Sequence, residues 1–159
     1  MWEGTESIEI AAPPEVVWAI LADVTRHPEL AGSGEVKAIR MSGSVGVGAS
    51  WESDEEVAGM TFVARSECVA FDPPRELSWK SYPPPLEEGR PDSVPDVTWW
   101  FRLSPSEGGT RVEHSFRVVE PTAGADAIRS FYEQTDRANV IVRGMLGTLS
   151  NLKAAAEAR

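Results

Sequence analysis

The stretch AGADAIRSFYEQTDRANVIVRGMLGTLSNLKAAAEA (residues 123–158) decides how the rest of the chain is read. Within it Ile128, Phe131, Thr135, Ala138, Val142, Met145, Leu149, Leu152 and Ala156 follow one another at steps of three and four. At 3.6 residues per turn that spacing keeps them on one face, so the sequence predicts one long amphipathic helix. Such a helix runs roughly 50 Å at 1.5 Å per residue, and it can bury its stripe only if something broad wraps it. Arg129, Glu133, Asp136, Arg137, Arg143 and Lys153 fall on the opposite side and are expected to face water. Pro121 and Thr122 supply a stop and a cap, and Asp126 suits the amino-terminal end of the helix dipole. Gly144 and Gly147 each cost about 1 kcal/mol inside a helix relative to alanine. Either they admit another segment at close range or they widen a cavity.

The remainder must supply the wrapping layer. Thr5 to Ala11 reads as a strand ended by Pro13-Pro14, and a short helix follows from Pro14 to Asp23 with Val17, Ile20, Leu21 and Val24 apolar and Trp18 flanking. A second helical turn begins at His27-Pro28, runs to about Ala31, and closes at Gly32 and Gly34. Six further strands are predicted at Glu35 to Ser42, Gly48 to Val57, Met60 to Phe71, Glu76 to Tyr82, Val94 to Leu103 and Thr110 to Val119. They are separated by compositions typical of turns, such as Ala58-Gly59, Asp72-Pro73-Pro74-Arg75 and the proline-rich segment from Pro83 to Pro95. Short connections suit antiparallel neighbours. The predicted fold is α+β: a seven-stranded curved antiparallel sheet wrapped around a long C-terminal helix, with two short helices between the first and second strands. Side chains between a curved sheet and a straight rod fill the ends more readily than the middle, so a hollow is expected.

A chain of 159 residues is expected to form a single domain over 1–159, with 42% hydrophobic and 25% charged residues, ordinary for a globular protein. Fifteen basic against 25 acidic side chains give a net charge of -10, which argues against a nucleic-acid backbone or an anionic membrane surface as partner. Cys68 is the lone cysteine, so no intrachain disulfide forms. No apolar run is long enough to insert into a membrane and no secretion signal precedes Ile8, so a cytoplasmic location is the simplest expectation.

Several landmarks then resemble a known family. Ile8-Glu9-Ile10-Ala11-Ala12-Pro13-Pro14-Glu15-Val16-Val17-Trp18, Leu21-Ala22-Asp23, His27-Pro28-Glu29, Phe71-Asp72-Pro73-Pro74-Arg75-Glu76-Leu77 and Gly109-Thr110-Arg111-Val112 occur in the order seen in the START-like helix-grip (SRPBCC) superfamily, in its polyketide cyclase/dehydrase-like branch. The resemblance covers nearly the whole chain and implies the helix-grip fold. It also implies an internal cavity for a lipid, polyketide or other apolar molecule, in which some members catalyse ring closure or dehydration. The landmarks are structural and perform no chemistry themselves.

Candidate functional residues come from strand phase. Val112, His114, Phe116 and Val118 alternate with charged and polar residues, which points His114 inward, either as a proton-transfer group or as a neutral core histidine bonded to a carbonyl. Arg65 and Glu67 share the phase of Val69 and Phe71, which would aim a charge pair into the hollow. Phe62, Ala64 and Cys68 alternate on the other side, so a bulge midway would leave both charges in solvent, and the cost of burying charge favours that arrangement. Tyr132 either donates a phenolic hydrogen bond to a ligand or sits at the helix edge. Trp51, Trp79, Trp99, Phe101 and Phe116 are expected cavity walls on the sheet, with Phe131, Thr135, Ala138 and Met145 opposing them from the helix. Trp100, in the opposite phase, is expected on the outer face, where it hints at a homodimer contact. His27 would border the cavity mouth.

Other chemistries find no support. Gly43, Gly46 and Gly48 open no helix, His27, Cys68 and His114 lack metal-ligand spacing, and Glu52, Asp54, Glu55 and Glu56 read as a solvated edge. No metal or cofactor is expected. The leading expectation is binding of a small hydrophobic molecule. The alternatives are an enzyme in which His114 moves a proton while Tyr132 or Arg65 polarises a carbonyl, and a protein-interaction accessory domain.

Overall fold

The computed structural model describes residues 1–158; Arg159, the last residue of the expected span, lies outside the described residues. Strand β1 (Trp2–Ile10) is followed by helix α1 (Pro14–Leu21), a 3-10 turn at Val24–Arg26 and helix α2 (His27–Leu30). Strands β2 (Val36–Arg40), β3 (Ser50–Val57), β4 (Met60–Asp72), β5 (Glu76–Tyr82), β6 (Asp96–Ser106) and β7 (Gly109–Val119) come next, then helices α3 (Ala125–Thr135) and α4 (Arg137–Glu157). All seven strands form one curved antiparallel sheet in the order β1-β7-β6-β5-β4-β3-β2. The α+β helix-grip reading therefore holds, including the two short helices between the first two strands.

Local chemistry accounts for the boundaries. Pro14 opens α1, where its missing N–H has no intrahelical partner to lose. Ala58 and Gly59, with φ of 50° and 81°, form the two-residue link between β3 and β4, and positive φ at both positions matches the twist of a tight hairpin.

The C-terminal helix differs from expectation. It is two helices, because Asp136 adopts a left-handed conformation (φ 51°, ψ 41°) between α3 and α4. Asp tolerates that region better than most residues, and Thr135 Oγ1 donates to the Phe131 carbonyl at 2.6 Å, a back-bond of the kind that bends a helix in its last turn. The break rotates the buried face. Ile141, Met145, Leu149, Leu152 and Ala156 are buried on α4, whereas Val142 and Ala138 are only half-buried. Arg137, expected in water, turns inward at the start of α4, and its side chain is only 14% exposed.

Helix α4 packs along β1 and β7 and against α1 and α2, while β3, β4 and β5 curve away from it. Two apolar clusters result. One gathers Leu21, Leu77, Val112, Leu149 and Leu152, and the other gathers Phe116, Val118, Ile128, Ile141 and Met145. Each fully buried aliphatic side chain contributes about 1.5–3 kcal/mol.

The glycines of α4 are mainly a close-approach device. Gly32, after α2, lies against them so tightly that a Cβ there would fall 2.6 Å from Gly147 Cα, and its N–H donates to Thr148 Oγ1 at 3.0 Å. Gly144 also reaches the cavity wall, so both readings of that residue apply.

Candidate functional site

A cavity of about 150 Å³ opens between the inner face of the sheet and the first half of α4. The sheet supplies Trp51 and Ser53 from β3, Ser66 from β4, Trp79 and Ser81 from β5, Trp99 and Phe101 from β6 and His114 from β7. Helix α4 contributes Arg137, Ile141, Met145 and Thr148, and the segment around α2 and β2 adds His27, Leu30 and Glu35. Strand alternation explains the sheet half, because every one of those residues has the inward phase of its strand.

The aromatic wall is continuous. Trp79 and Trp99 stack with centroids 6.5 Å apart, Trp51 lies 6.4 Å from Trp79, and Phe101 lies 5.9 Å from Trp79. His114 stacks on Phe101 at 4.0 Å and 7° and lies 5.7 Å from Trp99. Its Nδ1 is 2.9 Å from the Trp100 carbonyl oxygen. A carbonyl only accepts, so Nδ1 carries the proton and Nε2 is the bare nitrogen. Burial pushes the His114 pKa down to about 4, the Trp100 bond opposing and His27 adding slightly, so the ring is neutral at physiological pH. His27 follows the same pattern: its Nε2 donates to the Leu21 carbonyl at 2.8 Å, and burial lowers its pKa.

The polar side of the mouth was not anticipated. Arg137 Nη1 and Glu35 Oε2 form an ion pair at 2.5 Å, with the Glu35 side chain 19% exposed. Beside them Glu55 accepts from Ser53 Oγ at 2.6 Å. Burial raises the Glu55 pKa, the Ser53 bond counters it, and the neighbouring Glu35 charge adds to the rise. Glu55 belongs to the acidic run Glu52, Asp54, Glu55 and Glu56 that reads as a solvated edge, yet it is half-buried and shares the inward phase of Trp51, Ser53 and Val57. That alternation was the available signal. Ser66, 3% exposed, lines the cavity and faces Ser81 across the β4–β5 register.

The remaining candidates divide. Trp51, Trp79, Trp99, Phe101, His114 and Met145 all reach the cavity. Phe116 is buried one layer behind, 5.9 Å from Trp99. Phe131, Thr135 and Ala138 lie outside the cavity lining, displaced by the break at Asp136. Tyr132 stacks on Trp2 at 4.1 Å and 23°, in the second apolar cluster; burial raises its pKa, with the Arg137 charge opposing. Arg65 is exposed on the outer face, because Ala64, Ser66 and Cys68 take the inner one and a register shift between Cys68 and Ala70 restores Phe71 to the inner side. Trp100 lies on the outer face between the guanidinium groups of Arg102 (5.5 Å) and Arg117 (5.1 Å). Among the described residues no cluster of three or more His, Cys, Asp or Glu is placed to hold a metal ion, and no helix is long and apolar enough to cross a membrane.

A seven-stranded antiparallel sheet curved over a C-terminal helix, with an aromatic cavity between them, defines a helix-grip protein. Residues 1–157 match the family described as polyketide cyclase / dehydrase and lipid transport, and the chain belongs to that family. An uncharacterised protein of Mycobacterium tuberculosis (strain ATCC 25618 / H37Rv) is 31% identical over 150 residues, which cover 93% of this chain and 61% of that protein. The chain thus spans less than two thirds of that relative's length. Among solved structures, the Zhui aromatase/cyclase from Streptomyces sp. R1128 superposes with a TM-score of 0.72 at 20% identity, covering 99% of this chain and 94% of that one. The di-domain ARO/CYC StfQ from the steffimycin biosynthetic pathway gives 0.72 at 16% identity, covering 99% of this chain and 51% of that one. At such identities these two establish the shared fold.

Proposed function

We propose that residues 1–159 act as one domain that binds a small, flat apolar molecule carrying one or two hydrogen-bonding groups. The observation that carries this reading is an aromatic-walled cavity whose lining also includes a few polar side chains, among them Ser66 and His114, the latter with an unprotonated Nε2. Apolar walls supply affinity and a few fixed polar groups supply orientation. A space of about 150 Å³ is of the order that admits a benzene-sized guest. A fused-ring ligand would extend through the polar mouth.

A catalytic version of the same site is the second reading, favoured by the bare Nε2 of His114 in the cavity. There His114 would accept a proton in an aldol-type cyclisation or a dehydration. A base with a pKa of about 4 holds a proton weakly at neutral pH, which weighs toward binding.

Native mass spectrometry of freshly purified protein tests the binding reading. A co-purifying aromatic or lipid-like mass at near-stoichiometric level supports it; a protein that is empty and takes up no aromatic probe overturns it. For the catalytic version, His114→Gln should abolish turnover of a candidate substrate, and unaltered turnover removes that residue from the mechanism.

A further inference from the structure

We propose that this cavity selects an aromatic ligand bearing a protonated amine over one bearing a carboxylate, an inference that rests on the cavity-binding reading above. The mouth holds two carboxylates and one guanidinium. Arg137 is committed to Glu35 at 2.5 Å, with both side chains largely withdrawn from water. Glu55 has the Ser53 hydroxyl as its donor and no ion pair among the described residues. One inward-phase carboxylate is therefore left without a matching cation, on the wall of a cavity.

The other walls point the same way. The rings of Trp51, Trp79, Trp99 and Phe101 present electron-rich faces, which attract a cation and repel an anion. Both histidines at the cavity are neutral, with one nitrogen of each spent on a carbonyl, so neither offers positive charge to an acid. The Ser66 hydroxyl on the cavity wall accepts an N–H as readily as it donates. A ligand carboxylate would instead meet Glu55 in a partly desolvated space, where like charges repel strongly. The net charge of -10 adds a long-range bias of the same sign.

The arrangement also fixes a pH response. The charged groups around Glu55 are Glu35 on the chain before β2 and Arg137 on α4, while Tyr132 on α3 feels both; its cross-strand neighbours Val36 and Phe62 are apolar. Burial disfavours the ionised form of Glu55, and a bound ammonium favours it. Affinity for an amine therefore rises as pH rises through the Glu55 titration.

The test uses three probes of one shape: benzylamine, benzyl alcohol and benzoate, titrated separately while the indole N–H signals of Trp51, Trp79 and Trp99 are followed by NMR. The expected order is benzylamine, then benzyl alcohol, then benzoate, with at least tenfold between first and last. Glu55→Gln should bring the amine-to-alcohol ratio toward one, and lowering the pH on the unmodified protein should do the same without any substitution. If benzyl alcohol shifts the indoles and benzylamine binds no better, or benzoate binds best, the charge selection is wrong and cavity binding stands. If none of the three reaches the indoles, both fall.

Discussion

The imidazole of His114 lies flat on the ring of Phe101, with centroids 4.0 Å apart and planes 7° from parallel. That stack and the bond from Nδ1 to the Trp100 carbonyl hold a neutral ring in a buried place. Protonation is therefore easier in the unfolded chain, and the sign follows. With a folded pKa of about 4 against an ordinary 6.5, the contribution is complete above 6.5 and is lost as pH falls toward 4. It amounts to on the order of 3 kcal/mol. His27, also lowered, adds in the same direction. Urea denaturation at pH 7 and pH 4.5 should show a larger acid loss for the unmodified protein than for His114→Gln.

The Arg137–Glu35 pair is the mouth's main fixed element. Removing one partner from a largely buried pair strands the other charge, so Arg137→Met should cost about 1–3 kcal/mol. The double variant Glu35→Gln, Arg137→Met should recover part of that loss. A double-mutant cycle by chemical denaturation measures the coupling.

Close approach at Gly32 leaves no room for a side chain, since a Cβ would lie 2.6 Å from both Gly147 Cα and Thr148 N. Gly32→Ala should cost about 1–3 kcal/mol through overpacking. Gly147→Ala, whose Cβ would sit 2.9 Å from Gly32 Cα, should cost less, because helix propensity returns about 1 kcal/mol. Thermal and urea midpoints distinguish the two.

Asp136 sits at φ 51°, a region that glycine enters without steric cost. Asp136→Gly should leave stability within about 1 kcal/mol of the original, offsetting the lost Asn139 contact. Asp136→Val, β-branched at positive φ, should lose about 1–3 kcal/mol. Denaturation of the pair checks the order.

Ser66→Ala tests whether the hydroxyl serves a guest rather than the fold. As a small, conservative change on the cavity wall, it should leave stability within about 1 kcal/mol while weakening uptake of benzyl alcohol relative to toluene.

Much of this was legible in the sequence because alternation and turn chemistry are local. The row Val112, His114, Phe116, Val118 gave the inner face of β7, and Ala58-Gly59 gave the β3–β4 hairpin. Most of what escaped was set by one backbone event. A left-handed Asp136 leaves the three-and-four spacing of the residues intact while rotating everything after it, which hid the inward turn of Arg137 and the burial of Ile141. The register shift in β4, by contrast, is the bulge that the cost of burying charge favours, and Arg65 is exposed as that arrangement requires. Glu55 was missed for another reason: its strand phase marked it as inward, but its acidic neighbours made the whole run look solvated.

The discontinuity at Asp136 has a dynamic consequence. Helix α3 buries only Ile128, whereas α4 anchors itself through five buried side chains. The two share no unbroken ladder of amide bonds, so α3 can unwind while α4 stays folded. Its amides should exchange with deuterium well ahead of those around Met145 and Leu149, making this segment the part of the chain that breathes first.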